Sequence, residues 1–397
     1  MAISNLFKNF YKNPKYIPYG RQKINRGDIE SVIKAMKSDF ITQGKMLEAF
    51  EQELSTTVGS KYAIAVNSAT SALHIACLAL GLGKGDYLWT SPITFVASAN
   101  CGIYCGAKID FIDVDENSAL ISIDALKKKL KKAKLENKLP KIVIPVHLGG
   151  SSCEMKEIYK LSKEYGFYII EDASHALGGK YKNKPVGNCK YSDICIFSFH
   201  PVKIITTGEG GASVTNNRKY AQKMKDLRSH CIIKDRKRFE ENAPGEWRYE
   251  MQDLGYNYRM NEIQAALGLS QIKRLEKIVF KRNQIHKKYK EFIADAPFKL
   301  IEVPKNVYSA FHLGIIKLNN KLNHQKVFSG MRNNGIGVQL HYSPVHLQPY
   351  YKRLGFKKGD FPIAEDYASR AFSLPLYPEL TNSELRRIST TLKKLNN

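Results

Sequence analysis

The chain has 397 residues, 43% hydrophobic and 25% charged, with 62 Lys and Arg against 37 Asp and Glu and a formal net charge of +25. That length holds one large α/β domain and a smaller one, and the composition excludes a disordered chain. No apolar run reaches the roughly 18–20 residues of a membrane span, and Lys8 and Lys12 interrupt the N-terminus where a signal peptide would need an apolar core. The seven cysteines are scattered and make neither a disulfide framework nor a zinc pattern, so a cytoplasmic protein with no metal and no membrane contact is expected. The densest basic run, Lys127–Lys134, has no interleaved aromatics and reads as a solvated helix face; no nucleic-acid partner is expected.

Taken in chain order, short apolar β-branched segments predict strands at Tyr62–Val66, Tyr87–Ser91, Lys108–Ile112, Ile142–Val146, Phe167–Glu171, Ile194–Ser198 and Ala212–Thr215. Helical spacing falls between them, as in Ser71–Leu80 and Met155–Tyr165. Strands alternating with helices predict a largely parallel sheet covered on both faces, with ligands beyond the strand C-termini. The polar stretch Cys231–Gln252, with Pro244-Gly245, predicts a long loop or lid. Glu262–Tyr289 predicts one long helix leading to a smaller domain, with strands near Phe311–Leu318 and Val338–Tyr342 and a final helix from Asn382. The expected division is residues 16–260 and 261–397.

The chemistry concentrates at strand ends. Lys203 lies in a polar loop after the strand ending at Ser198, and Gly208-Glu-Gly-Gly211 follows it. A lysine so placed can form a Schiff base, and the hydroxyl and turn amides can hold an anion beside it. Asp172 ends another apolar strand and would pair with a pyridinium nitrogen; the same position also suits a plain helix cap. His175 has two readings, a hydrogen bond to a ring's phenolic oxygen or a satisfied core histidine. Asn67-Ser68-Ala69-Thr70 opens a helix directly after a strand, which serves either N-capping or phosphate binding. Phe95 suits ring stacking or simple core packing. A Schiff-base lysine with an acid for the ring nitrogen is the pairing that pyridoxal 5′-phosphate (PLP) chemistry requires.

Together Thr42-Gln-Gly44, Asn67–Ala72, Pro92–Phe95, Glu171–His175, the Lys203 segment and Gly255-Tyr-Asn-Tyr-Arg259 resemble the DegT/DnrJ/EryC1/StrS family of PLP-dependent sugar aminotransferases, over almost the whole chain. The resemblance implies an aspartate-aminotransferase-like (type I) α/β fold, with a large, mostly parallel seven-stranded sheet domain and a smaller C-terminal α/β domain. It also implies a homodimer with shared active sites. Lys203, Asp172 and His175 would be catalytic. Ala69, Thr70 and Ser198 would bind the cofactor phosphate within one subunit, and Asn257 would reach that of the partner. Phe-Ser-Phe-His-Pro-Val-Lys203, Ser38–Gly44 and His341-Tyr-x-Pro344 further resemble the branch that aminates C4 of UDP-linked 4-keto-6-deoxy sugars toward pseudaminic acid, with L-glutamate as donor. Tyr19, Asp39, Phe40, Ile41, Thr42 and the turn His341, Tyr342, Ser343, Pro344 fall where that branch contacts its sugar. The rivals are another nucleotide-linked keto sugar of the perosamine or bacillosamine type, a dehydratase with histidine at the lysine position, and a non-catalytic regulator lacking the lysine–acid pair.

Overall fold

The computed structural model describes residues 16–241, 245–294, 296–319 and 323–395; the leader Met1–Lys15 and Pro244 lie outside them. All seven expected strands form one sheet: β1 (Tyr62–Val66), β2 (Tyr87–Thr90), β3 (Lys108–Phe111), β4 (Ile142–Ile144), β5 (Tyr168–Asp172), β6 (Ile194–Ser198) and β7 (Gly211–Thr215). Their spatial order is β1-β7-β6-β5-β4-β2-β3. Only β7 runs against its neighbours, pairing antiparallel with both β1 and β6; the other pairings are parallel. Strands such as Ile142-Val-Ile144 and Ile194-Cys-Ile-Phe-Ser198 are buried at every position, as a sheet covered on both faces demands.

The covering helices are α1 (Arg26–Met36), α2 (Lys45–Val58), α3 (Ala69–Ala79), α4 (Ala97–Tyr104), α5 (Ile123–Leu135), α6 (Met155–Tyr165), α7 (Arg218–Arg228), α8 (Glu262–Ile272) and α9 (Leu275–Phe292). A separate core gathers Ile285 and Tyr289 of α9, Ile316 and Leu318 of a three-stranded sheet, and Ile388 and Leu392 of a terminal helix. That sheet is β8 (Phe298–Leu300), β9 (Gly314–Leu318) and β10 (Ala371–Leu374), in the order β8-β9-β10, and α10 (His324–Asn333) and α11 (Asn382–Lys394) accompany it. Ile17, from the opposite end of the chain, belongs to this second core.

Two expectations fail for physical reasons. The helix expected over Glu262–Tyr289 is broken at Lys273-Arg274 into α8 and α9. Asp28, fully buried on α1, collects the Ser270 hydroxyl at 2.7 Å, the Gln271 amide at 2.8 Å and the Arg274 guanidinium. These donors bind one carboxylate at the end of α8, and Arg274 there leaves helical geometry. Val338–Tyr342 is not a strand: among the described residues its backbone pairs with the small sheet only at the Gln339–Ser373 bridge. Its neighbour Gly337 is spent on Ile17, whose carbonyl accepts the Gly337 amide at 2.7 Å, and the chain then turns toward the large sheet. The real partners of β9, namely β8 and β10, are three and four residues long and carry little pattern of their own. Within Cys231–Gln252 the described residues are mostly loop, tied by a hairpin of Ile232–Ile233 with Glu250–Met251.

Candidate active site

Four strand ends build one cavity of about 760 Å³. The loop after β1 and the start of α3 contribute Ser68, Ala69 and Thr70; the loop after β2 contributes Thr94 and Phe95; β5 ends in Asp172; and β6 leads through Ser198 to Lys203. The turn after Val338 closes the opposite wall with Gln339, His341 and Tyr342, joined by Tyr19 and His312.

At the end of β5 the Asp172 carboxylate is buried, accepting from the Ser98 hydroxyl at 2.6 Å and the Ser174 amide at 3.1 Å. Ser98 in turn pairs with the Thr94 hydroxyl at 2.7 Å. Two hydroxyls thus orient a carboxylate at the cavity wall. Ser98 escapes sequence reading; its only signal is a lone hydroxyl one helical turn past Thr94.

Lys203 sits in a loop held by its own backbone: Phe199 donates to the Gly210 carbonyl at 2.9 Å and Thr207 to that of Phe199 at 3.0 Å. Burial pushes the Lys203 pKa down to about 8, while the Asp172 charge holds it up. At pH 8 about half of such lysines are neutral, which a nucleophilic amine needs.

The start of α3 is a prepared anion site. The Ser68 hydroxyl caps the Ser71 amide at 3.1 Å, and among the described residues the Ala69 and Thr70 amides have no acceptor. The approach is tight: a Cβ at Gly211 would lie 2.4 Å from the Ala69 nitrogen and 2.5 Å from the Ser68 carbonyl carbon. Only glycine lets β7 pass beneath this helix start. Ser198 completes the donor group from β6.

On the far wall, His175 accepts the Gly149 amide on Nδ1 at 3.3 Å, and its Nε2 lies 3.1 Å from the Tyr342 hydroxyl. Burial, with the Lys203 charge, pushes the His175 pKa well down. His341, whose Nδ1 meets the Ser373 hydroxyl at 2.9 Å, is pushed down to about 3 by burial and the same lysine. These neutral imidazoles leave Lys203 as the cation of this wall. His312, unnoticed in the sequence, packs tilted against His175, with ring centroids 4.4 Å apart.

Of the sequence-predicted residues, Tyr19, Ala69, Thr70, Phe95, Asp172, His175, Ser198, Lys203, His341 and Tyr342 meet in this cavity. Asp39, Phe40, Ile41 and Thr42 do not; they lie exposed at the surface, Phe40 at 68% and Ile41 at 55%. Glu262 holds that segment: its amide donates to the Ile41 carbonyl at 3.0 Å, and its carboxylate accepts the Met46 amide at 2.7 Å. Asn257 is also exposed and outside the cavity, as is Ser343, while Pro344 is buried behind the wall. Among the described residues no cluster of His, Cys, Asp or Glu is set to hold a metal, and no helix is long and apolar enough to cross a membrane.

A cavity at the C-terminal ends of a mostly parallel seven-stranded sheet, with a lysine, a buried acid and an open helix start, defines an aspartate-aminotransferase-like enzyme of type I. The chain belongs to the DegT/DnrJ/EryC1/StrS aminotransferase family, whose model matches residues 22–393. It is 39% identical over 381 residues to the UDP-4-amino-4,6-dideoxy-N-acetyl-β-L-altrosamine transaminase of Campylobacter jejuni, covering 95% of this chain and 96% of that one. Helicobacter pylori PseC, an aminotransferase involved in the biosynthesis of pseudoaminic acid, superposes with a TM-score of 0.88 at 32% identity, covering 96% and 99% of the two chains. Spr1654 of Streptococcus pneumoniae, solved in its PLP form, superposes with a TM-score of 0.85 at 26% identity, covering 96% and 98%.

Proposed function

We propose that this chain moves the amino group of L-glutamate to C4 of a UDP-linked 4-keto-6-deoxy-N-acetylhexosamine, with PLP as cofactor, as a cytoplasmic homodimer. The reading rests on one observation above all: Lys203, Asp172 and the open start of α3 face a single cavity. The identity to the Campylobacter jejuni transaminase supports the choice of sugar and nucleotide.

The residues fit PLP. The Ala69 and Thr70 amides and the Ser198 hydroxyl match a phosphate, the buried Asp172 carboxylate matches a pyridinium nitrogen, and the partly neutral Lys203 matches an aldehyde. Bound there, PLP would supply an aldehyde and an electron-withdrawing ring that stabilises negative charge at the donor's Cα. Asp172 would keep the ring nitrogen protonated, and the Ser98 and Ser174 donors hold its carboxylate in place. Lys203 would hold the aldehyde carbon of the bound cofactor and, once free, is placed to take the proton from the glutamate Cα. In the second half of the cycle it delivers a proton to sugar C4. Phe95 would cover the ring, and Tyr19, His341 and Tyr342 would close the sugar side against water. The UDP group supplies remote binding energy that positions C4.

Asn257 and Asp39–Thr42 lie outside this chain's cavity because, in this reading, they serve the partner's. Their exposure is what a surface covered by a second copy would show. In this reading residues 16–260 form the PLP-binding domain, and residues 261–397 the linking helices α8 and α9 and the small domain.

The first experiment is the absorption spectrum of the purified protein with PLP, before and after L-glutamate. A band near roughly 410–430 nm that moves toward roughly 330 nm supports the reading, and a screen of UDP-linked keto sugars then follows. A band indifferent to glutamate removes the donor assignment. Shared sites have their own test: mixing Lys203→Ala and Asn257→Ala subunits, each weak alone, restores activity to about one quarter of wild type. Half of the randomly paired dimers are mixed, and each mixed dimer has one intact site of two. No recovery would place each site within one chain.

A further inference from the structure

We infer that Cys105 is a peroxide-reactive modification site, with Cys77 placed to resolve its oxidised form into a disulfide that joins α3 to α4. The inference stands on a cluster of thiols outside the cavity and is independent of the proposed transamination.

Of the seven cysteines six are buried, and Cys105, at the end of α4, is half-buried. The helices α3 and α4 pack on each other. His74 and Cys77 are three residues apart on α3, and Cys101 and Cys105 are four apart on α4, so each pair shares one helix face. Across the contact the Cys77 and Cys101 sulfurs are 3.7 Å apart. His74 is buried beside them. Its Nδ1 meets the Tyr258 hydroxyl at 3.2 Å, and its Nε2 is buried with no hydrogen-bond partner among the described residues. The rings of Tyr104, Tyr256 and Tyr258 enclose it, with centroids at 5.5, 4.8 and 6.0 Å. Three thiols and an unspent imidazole nitrogen thus meet at one helix contact.

The protons give the three thiols different roles. Cys101 donates to the Ser98 carbonyl at 3.4 Å, so it is a thiol and offers Cys77 a neutral sulfur. Burial pushes the Cys77 pKa well up, so Cys77 keeps its hydrogen. Of the sulfurs within its reach, an ionised one is the stronger acceptor. The Cys77 thiol, helped by His74, accordingly draws the Cys105 pKa below the ordinary thiol range against the effect of burial. The titratable groups gathered around Cys105 are His74 and Cys77 of α3, Tyr104 of its own helix, and Tyr256 and Tyr258 of the loop before α8. An exposed thiolate beside a resolving thiol is the arrangement that peroxides oxidise. The Cys105 thiolate attacks a hydroperoxide oxygen: an S–O bond forms, the O–O bond breaks, and with one proton from solvent an alcohol leaves, or water when the oxidant is hydrogen peroxide. The Cys77 sulfur then attacks the Cys105 sulfur. The S–S bond forms, the S–O bond breaks, and the Cys77 proton leaves with the hydroxide as water. Two thiols lose two electrons and one peroxide gains them. The bond ties together the helix that opens the anion site and the helix that carries Ser98, the donor to Asp172.

The test is peptide mass spectrometry of the reduced, purified full chain after hydrogen peroxide. A disulfide between Cys77 and Cys105, reversed by dithiothreitol, is expected. Cys77→Ser removes the resolving thiol, so the sulfenic acid at Cys105 should persist and be captured by dimedone. Iodoacetamide labelling of the untreated wild type gives a second readout that needs no variant. Cys105 should be alkylated faster than the six buried cysteines, with a half-maximal rate about one pH unit or more below the roughly 8.5 of a free thiol. A Cys105 that stays reduced under peroxide, or is alkylated with the pH profile of an ordinary thiol, would overturn the inference. So would a disulfide between Cys77 and Cys101 with Cys105 left free, or one between the Cys105 residues of two chains.

Discussion

Lys203→Ala is expected to lower turnover by about 10⁴-fold or more and to remove the band near roughly 410–430 nm from the PLP-loaded protein, with the fold unchanged. The fold survives because nothing structural hangs on the side chain. The loop from Phe199 to Gly211 is closed by backbone bonds and by the Thr206 hydroxyl, which donates to the Phe199 carbonyl at 3.0 Å and accepts the Gly208 amide at 2.9 Å. The chemistry does not survive, because among the described residues no other amine lines the cavity. The imidazoles there are poor substitutes as proton carriers: His341 is held near 3 and His175 well below its ordinary range. The wild-type pH profile follows from the lysine. With a pKa of about 8, capture of an aldehyde by the apo protein rises about tenfold per pH unit below pH 8 and levels off above it. An ordinary lysine would keep rising toward pH 10. Stopped-flow loading of apo protein across pH 6 to 10 reads this directly. A Lys203→Ala variant that turned over at a tenth of the wild-type rate would end the assignment.

The large sheet was legible because its strands are buried on both faces. A strand such as Ile142-Val-Ile144 must be apolar throughout, and that continuity shows in a single chain. The motif residues at strand C-termini were legible for the same reason, since strand ends mark where a parallel sheet offers its ligand site. What stayed hidden depends on groups distant in sequence. The break between α8 and α9 accompanies the buried Asp28, about 240 residues upstream of the donors it collects. The segment Val338–Tyr342 alternates like a strand, yet Ile17 claims the backbone of Gly337 and the chain is drawn to the cavity instead. At the site, Lys203 and Asp172 announce themselves by residue type. Ser98, Gly149 and His312 do not, because a hydroxyl, an amide and a packed ring gain meaning only from what they face. Asp39–Thr42 and Asn257 could be chosen from the sequence, but their remoteness from the cavity of their own chain could not.

Asp172→Asn is expected to separate the two halves of the site's electrostatics. The amide is close in shape to the carboxylate and retains a carbonyl acceptor for Ser98 or Ser174, so the end of β5 keeps its place. Two effects of opposite sign then compete. The Asp172 charge raises the Lys203 pKa against burial, so its loss lets that pKa fall below about 8. The lysine becomes more neutral at every pH, and aldehyde capture at pH 7 speeds up. At pH 8 the neutral fraction can only grow from about half to nearly all, a gain of about twofold. Against it stands the loss of the anion that keeps a proton on the ring nitrogen, and with that proton most of the pull on electrons from the glutamate Cα. Loss of a positioned proton-holding group costs about 10²–10⁴-fold, so the second effect dominates by orders of magnitude. The variant should load PLP with a pH profile displaced to lower pH, yet convert with glutamate about 10³-fold more slowly. Single-turnover spectroscopy resolves the two steps in one experiment. Slowed conversion with an unmoved loading profile would mean that Asp172 does not reach Lys203. A displaced profile with conversion at the wild-type rate would mean that Asp172 is not the partner of the ring nitrogen, and the acid would have to be sought elsewhere on the cavity wall.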